Sequence, residues 1–217
     1  MGDSRTSLVN TRIAPADAPE AARKLYQRLV DLGAIAPQLC CYVPRSLGWV
    51  FPIRRGSVDF EAGIEQRYRP CIHGVEIKVT GHVWRNDESG GAKLFRDEEG
   101  GNGLFFNYEG SFTVTCRACA RSVELGEEGS RFICDGLDKW CVAPETASMT
   151  CPQCMSVAPI RDWRSANDTF AAGHLGFTLW GGYVTALFEK PSPPAGTRLR
   201  HLIGDFAEDY AAVFCHI

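Results

Sequence analysis

Residues 116–119 read Cys116-Arg117-Ala118-Cys119, residues 151–154 read Cys151-Pro152-Gln153-Cys154, and 31 residues separate the two runs. A Cys-x-x-Cys turn directs two sulfurs toward one point, and two such turns complete a tetrahedral four-thiolate site for Zn²⁺. Cys116, Cys119, Cys151 and Cys154 are therefore the expected ligands of one zinc ion per chain. Four thiolates close the coordination sphere and leave no position for water or substrate, which makes the expected role structural. Thr113-Val114-Thr115 before the first pair and Ser122-Val123-Glu124 after it place that knuckle at the tip of a hairpin, as in a zinc ribbon. The second knuckle is followed by Met155 where ribbons often carry glycine, so its turn departs from the common form.

The spacer is longer than the roughly 15–20 residues usual between ribbon knuckles. It must therefore build an element of its own. Residues 130–141 predict a short helix, or a helix broken at Gly136. Cys134 and Cys141 would share one face of an unbroken helix. Packing as core thiols, alternative metal ligation and a redox pair are all open to them.

Outward from the knuckles, the chain alternates short strand and helix signals. Asp17, Pro19 and Glu20 mark a helix start, and Ala22, Leu25, Leu29 and Leu32 line one face over residues 18–32. Gly33 and Pro37 end that helix. Residues 1–16 predict an arm or a short leading strand around Leu8-Val9. Val75, Ile77 and Val79, with Gly81 as a candidate fourth, alternate with Glu76, Lys78 and Thr80, predicting a strand over Gly74 to Trp84. Residues 86–91 and 96–103 read as polar, glycine-rich loops. Residues 104–106 and 111–115 predict strands feeding the first knuckle. Residues 174–180 and 210–216 predict apolar strands joined through a helix over 197–207, with the last strand inside the sheet. The expected fold is α+β, an α/β sandwich with a mixed sheet formed by residues 1–110 and 158–217, carrying residues 111–157 as an inserted zinc-ribbon-like subdomain.

Composition narrows the function. The formal net charge is −3, and the basic excess of a constitutive nucleic-acid binder is missing. No apolar run approaches the roughly 20 residues that span a bilayer, and Met1 to Thr6 lacks the apolar core of a signal peptide. The Gly2 and Thr6 spacing fits the short myristoylation pattern, which chance satisfies readily. Ten cysteines without an export signal fit reduced thiols and a cytoplasmic protein.

A catalytic constellation is not legible. Residues 100–103, Gly-Gly-Asn-Gly, have neither dinucleotide-binding spacing nor a Walker lysine. The zinc deaminases need His-x-Glu and Pro-Cys-x-x-Cys, and the chain offers only His73-Gly74-Val75-Glu76 and a knuckle without the leading proline. A catalytic zinc would need an open position, for instance with His174 among three ligands. His82, His201 and His216 have no nucleophile set beside them, and Glu61 with Glu65 fits a solvated helix face.

The helix ending in Leu32-Gly33-Ala34-Ile35-Ala36-Pro37, the two-knuckle insert, Trp163, Gly173-His174-Leu175-Gly176-Phe177 and Trp180 together resemble a set of bacterial proteins. Some of that set lie beside secreted toxins and resemble immunity proteins of polymorphic-toxin and type VI secretion systems. The resemblance implies a non-enzymatic protein that binds and neutralises a cognate toxin, with no catalytic residues to carry over. Acidic loops that mask a cationic nuclease site would suit such a role, and so would loops that only confer solubility. Two other readings compete. Arg117, Arg121 and Arg131 near the knuckles would serve a nucleic-acid-binding ribbon, and an open coordination position would make a zinc hydrolase.

Overall fold

In the computed structural model the described residues are 4–39, 51–52, 74–97, 102–106, 113–124, 127–165, 168–180 and 210–216. The expected helix over 197–207, the Glu61–Glu65 pair, and His73 and His201 lie outside them. The described elements are mixed, two α-helices with many short strands, and every strand pairing among them is antiparallel.

The main sheet has five strands. In chain order these are β1 (Ser4–Asn10), β2 (Phe51–Pro52), β3 (Gly74–Val79), β13 (Leu175–Trp180) and β14 (Tyr210–His216), and their spatial order is β14-β1-β13-β3-β2. The leading strand therefore lies inside the sheet. The last strand, expected inside, has β1 as its neighbour at one end of that order. All six residues of β13 are buried, which matches a mostly apolar run interrupted by Thr178 and a strand covered on both faces.

Register sorts the two faces. Leu8 stands opposite Phe177, and Phe177 opposite Ile77, so these residues share one face. Helix α1 (Ala18–Asp31) covers it with Ala18, Ala22, Leu25 and Leu29. Asp17 precedes the helix without a side-chain capping bond. The far end closes by the expected glycine motif. Gly33, at φ +67°, donates to Val30 O at 2.9 Å, and Ala34 donates to Leu29 O at 2.9 Å. Leu32 falls beyond the apolar stripe and is exposed.

The strand expected from Gly74 to Trp84 turns back at Thr80-Gly81, where Gly81 takes φ +67°. His82–Asn86 forms β4, which pairs with β5 (Ala92–Arg96), a strand the sequence reading left out. This hairpin folds over the α1 face. Trp84 donates its Nε1–H to Ile77 O at 2.9 Å, and its ring packs with Tyr26 and Phe51 at centroid distances of 4.9 and 5.4 Å.

The opposite face is polar at its centre. Ser7 and Thr178 share a hydroxyl hydrogen bond of 2.7 Å, and Glu76 beside them is 4% exposed. Glu76, a polar member of the strand alternation, is buried. Its Oε2 accepts from Trp180 Nε1 at 3.2 Å, and Lys78 Nζ lies 3.5 Å from its Oε1. Burial pushes the Glu76 carboxyl above its ordinary range, against the pull of Lys78, Trp180 and Arg5. A carboxylate that costs more to bury than its partner returns destabilises the fold. The folded protein binds this proton more tightly than the unfolded chain. Its contribution is therefore full below the ordinary value of 4.5 and is lost as pH rises through the folded value. Glu76→Gln keeps an acceptor for Trp180 and should raise stability at pH 7 by about 1 kcal/mol. It should also flatten the stability profile above pH 4.5. Urea unfolding of both proteins at pH 5 and pH 7 checks this, and equal or lower stability of the variant at pH 7 would contradict it.

Beyond the polar centre, β6 (Leu104–Phe106) pairs with β12 (Phe170–Ala172) and crosses the same face. Phe105 packs there with Val9, Ala171 and Val213. The remaining elements form a second core. They are β7 (Thr113–Thr115), β8 (Ser122–Glu124), α2 (Glu127–Val142), β9 (Ser148–Thr150), β10 (Val157–Pro159), a 3-10 turn Ile160–Asp162 and β11 (Arg164–Ser165). Val114, Trp140 and Met149 fill that core, and Leu104, Ile160, Trp163, Phe170 and Ala172 complete it from residues outside 111–157.

Candidate metal centre

The two knuckles are built alike. Cys116 N donates to Arg121 O at 3.0 Å and Ala120 N to Cys116 O at 2.9 Å. In the second, Cys151 N donates to Ser156 O at 2.8 Å and Met155 N to Cys151 O at 2.9 Å. The residue after each second cysteine takes a left-handed conformation, Ala120 at φ 55° and Met155 at φ 60°. The glycine missing from the sequence is thus replaced by two side-chain-bearing residues held in a conformation that costs each about 1 kcal/mol. Hairpin β7–β8 carries the first knuckle as expected, and hairpin β9–β10 carries the second.

Helix α2 occupies the long spacer and runs unbroken through Gly136. That glycine packs rather than breaks. A Cβ there would stand 2.7 Å from Met149 Cγ and Sδ, so the missing side chain admits β9 against the helix.

The four sulfurs converge. Those of Cys116, Cys119, Cys151 and Cys154 all lie within 4.8 Å of one another, with Cys116 to Cys154 at 3.8 Å and Cys119 to Cys151 at 3.9 Å. A tetrahedron with metal–sulfur bonds of about 2.3 Å has edges of about 3.8 Å, so the donor set fits a metal ion. Cys151 and Cys116 are buried, Cys119 is half-buried and Cys154 is exposed.

The electrostatics point the same way. The Ser156 hydroxyl lies 3.4 Å from Cys116 Sγ and 3.1 Å from Cys154 Sγ. With backbone N–H groups it pulls the Cys116 thiol down to about 6, and it pulls Cys154 below the ordinary thiol range as well. The Arg121 N–H also favours a thiolate at Cys119, yet burial and the neighbouring sulfurs push that thiol up to about 11. Sulfurs this close cannot all ionise unaided, and a divalent cation at their centre removes the conflict. Ser156→Ala should weaken metal binding about tenfold, as removal of a group that orients ligands typically does. Competition with a chromophoric chelator measures it, and unchanged affinity would remove Ser156 from the site.

Other candidates fall elsewhere. His174 is not among the clustered ligands and lies against Trp140. Cys141 is exposed in the last turn of α2, and the Cys134 side chain lies outside the described residues. His82 Nδ1 contacts Thr80 O at 2.9 Å. Arg121 donates to Gln153 Oε1 at 2.8 Å, joining the two knuckles, and Arg117 lies 4.0 Å from Asp162. Asp87 and Asp97, beside the expected acidic loops, pair with Lys93 and Arg85. Sequence reasoning missed Ser156 and Arg121 as supports of the site. Position 156 mirrors position 121 in the two knuckles, and an alignment of one knuckle on the other would have drawn attention to both.

Among the described residues no helix is long and apolar enough to cross a membrane. Compared with protein-family models, curated proteins and solved structures, the chain matches none of them.

Proposed function

We propose that this protein is a non-enzymatic interaction module, an α+β body carrying an inserted zinc-ribbon-like lobe whose metal is a structural Zn²⁺. The closed four-sulfur cluster carries this reading, because a metal held by four thiolates has no vacant position for substrate. Soft tetrahedral thiolate sites select zinc or iron. Elemental analysis distinguishes the two, and a coloured, redox-active iron centre would overturn the zinc assignment.

The sequence resemblance to immunity-type proteins supplies the partner class, a cognate bacterial toxin met in the cytoplasm. The rim of the second knuckle supports a contact role, since Met155 is 70% and Val157 65% exposed. Exposed apolar side chains on a rigid metal-held turn are suited to burial against a partner. The nucleic-acid reading has less behind it, because Arg117 and Arg121 are engaged within the lobe. Mixing the protein with the toxin encoded beside it tests the proposal. A complex at micromolar concentration that Met155→Asp with Val157→Asp weakens, at unchanged zinc content, is the expected result. Absence of a complex would sink the toxin reading.

A further inference from the structure

His174 sits at the corner where β12 passes into β13, and its ring is 1% exposed. The ring stacks on Trp140 of α2, with centroids 5.2 Å apart and planes inclined by 23°. Trp140 in turn donates its Nε1–H to Asn102 O, just before β6. On the other side the His174 carbonyl accepts from Thr80 N at 3.1 Å, in the turn between β3 and β4. His174 thus joins the metal lobe, through Trp140, to the main sheet, through Thr80.

This joint is also where hydrogen bonding fails. His174 Nδ1, His174 Nε2 and Thr80 Oγ1 are buried side-chain polar atoms with no partner. A neutral imidazole leaves one donor and one acceptor unmet there. A protonated one would leave two donors and a full charge unmet, which costs far more. Trp140, which stacks on the ring, and Thr80, which bonds the His174 carbonyl, carry no charge to offset it. Two charged groups reach it by their fields, Arg161 from the 3-10 turn against the cation and Glu145 from the loop after α2 in its favour. Burial is the largest influence, and the ring is held below its ordinary 6.5.

We propose that His174 is a proton-controlled joint between the metal lobe and the main sheet, closed while the ring is neutral and opened when the ring takes a proton. The closed form has no place for the second proton. Protonation therefore requires the stack on Trp140 to part and admit water, while the four-sulfur site, to which His174 does not belong, stays intact. The sign follows from the depressed folded value. Closure is fully favoured above pH 6.5 and is lost as pH falls below it. If the closed form excludes the proton, the opening equilibrium rises about tenfold between pH 7.5 and 5.5.

Hydrogen exchange by mass spectrometry on the zinc-loaded protein tests this, with rates corrected for intrinsic pH dependence and zinc measured in parallel. Peptides covering residues 102–106 and 135–142 should lose about tenfold of their protection from pH 7.5 to 5.5. His174→Phe, which keeps a stacking ring and removes the titration, should lose none of it. Equal loss in the variant, no loss in the parent, or loss that tracks zinc release would overturn the proposal. The ring's own titration, read by nitrogen-15 NMR in the unaltered protein, decides the matter if the variant does not fold. A value at or above 6.5 for the ring contradicts the joint, and a value below it supports it.

Discussion

Cys151→Ser should abolish stoichiometric metal binding and unfold the lobe built on residues 113–165. Cys151 is fully buried, and its sulfur belongs to the four-atom cluster. Serine replaces a soft thiolate by a hydroxyl that does not ionise at neutral pH, and it leaves three ligands where a closed site needs four. Structural zinc contributes on the order of 10 kcal/mol to folding in small zinc domains. The lobe has no comparable reserve. Its core centres on Val114, Trp140, Met149, Ile160 and Trp163, held by three-residue strands and one helix. Bound metal should fall to near zero, near-ultraviolet dichroism from Trp140 and Trp163 should collapse, and protease should cut within the lobe. Cys141→Ser is the matched control, since Cys141 is exposed and outside the cluster. It should retain full zinc. A Cys151→Ser protein that keeps its metal would show that the ligand set is wrong.

Gly176→Ala should destabilise the protein by about 3 kcal/mol, the upper end for overpacking a well-filled interior. An added Cβ would lie 2.0 Å from Phe105 Cζ and 2.4 Å from Cε1. That ring is 4% exposed and packed between Val9, Ala171 and Val213, so it has nowhere to retreat. Position 176 lies within a central strand, where alanine in open space would be favoured over glycine by about 0.5–1 kcal/mol. The sign of the effect therefore reports the clash itself. Removing the ring tests the mechanism. Phe105→Ala alone should cost about 3–5 kcal/mol. On that background Gly176→Ala should cost less than about 1 kcal/mol, a coupling typical of residues in contact. Urea unfolding of the four proteins gives the cycle, and an equal cost of Gly176→Ala in both backgrounds would dismiss the contact as its cause.

What could be read in the sequence was local. The four clustered cysteines announce themselves by spacing, and helix α1 by its apolar stripe and its Gly33 stop. The features that escaped depend on partners distant along the chain. Strand β1 reads Ser4-Arg5-Thr6-Ser7 at its start, which looks solvated until Ser7 meets Thr178 on the polar face. The burial of Glu76 is hidden for the same reason, because strand alternation cannot say whether a second layer covers the polar face. Gly81 continued the alternation of its neighbours and so hid a turn that its positive φ makes possible. Gly136 seemed a helix breaker, although its want of a side chain serves Met149. In each case a residue's meaning lay in what packs on it.

The position of β1 bears on how the protein is made. It is synthesised before the other described strands, yet its two neighbours in the sheet are β13 and β14. Ser7 waits 171 residues for Thr178. Both edges of β1 stay unpaired while the rest of the chain emerges from the ribosome, and sheets closed by such distant pairs form slowly. The metal lobe, whose hairpins and helix are contiguous in sequence, has all four clustered cysteines by Cys154 and could take up a metal ion before β13 exists. The nascent chain thus carries a finished metal lobe and an open sheet at the same time. In that interval a chaperone that shields strand edges would protect β1 from pairing with other chains.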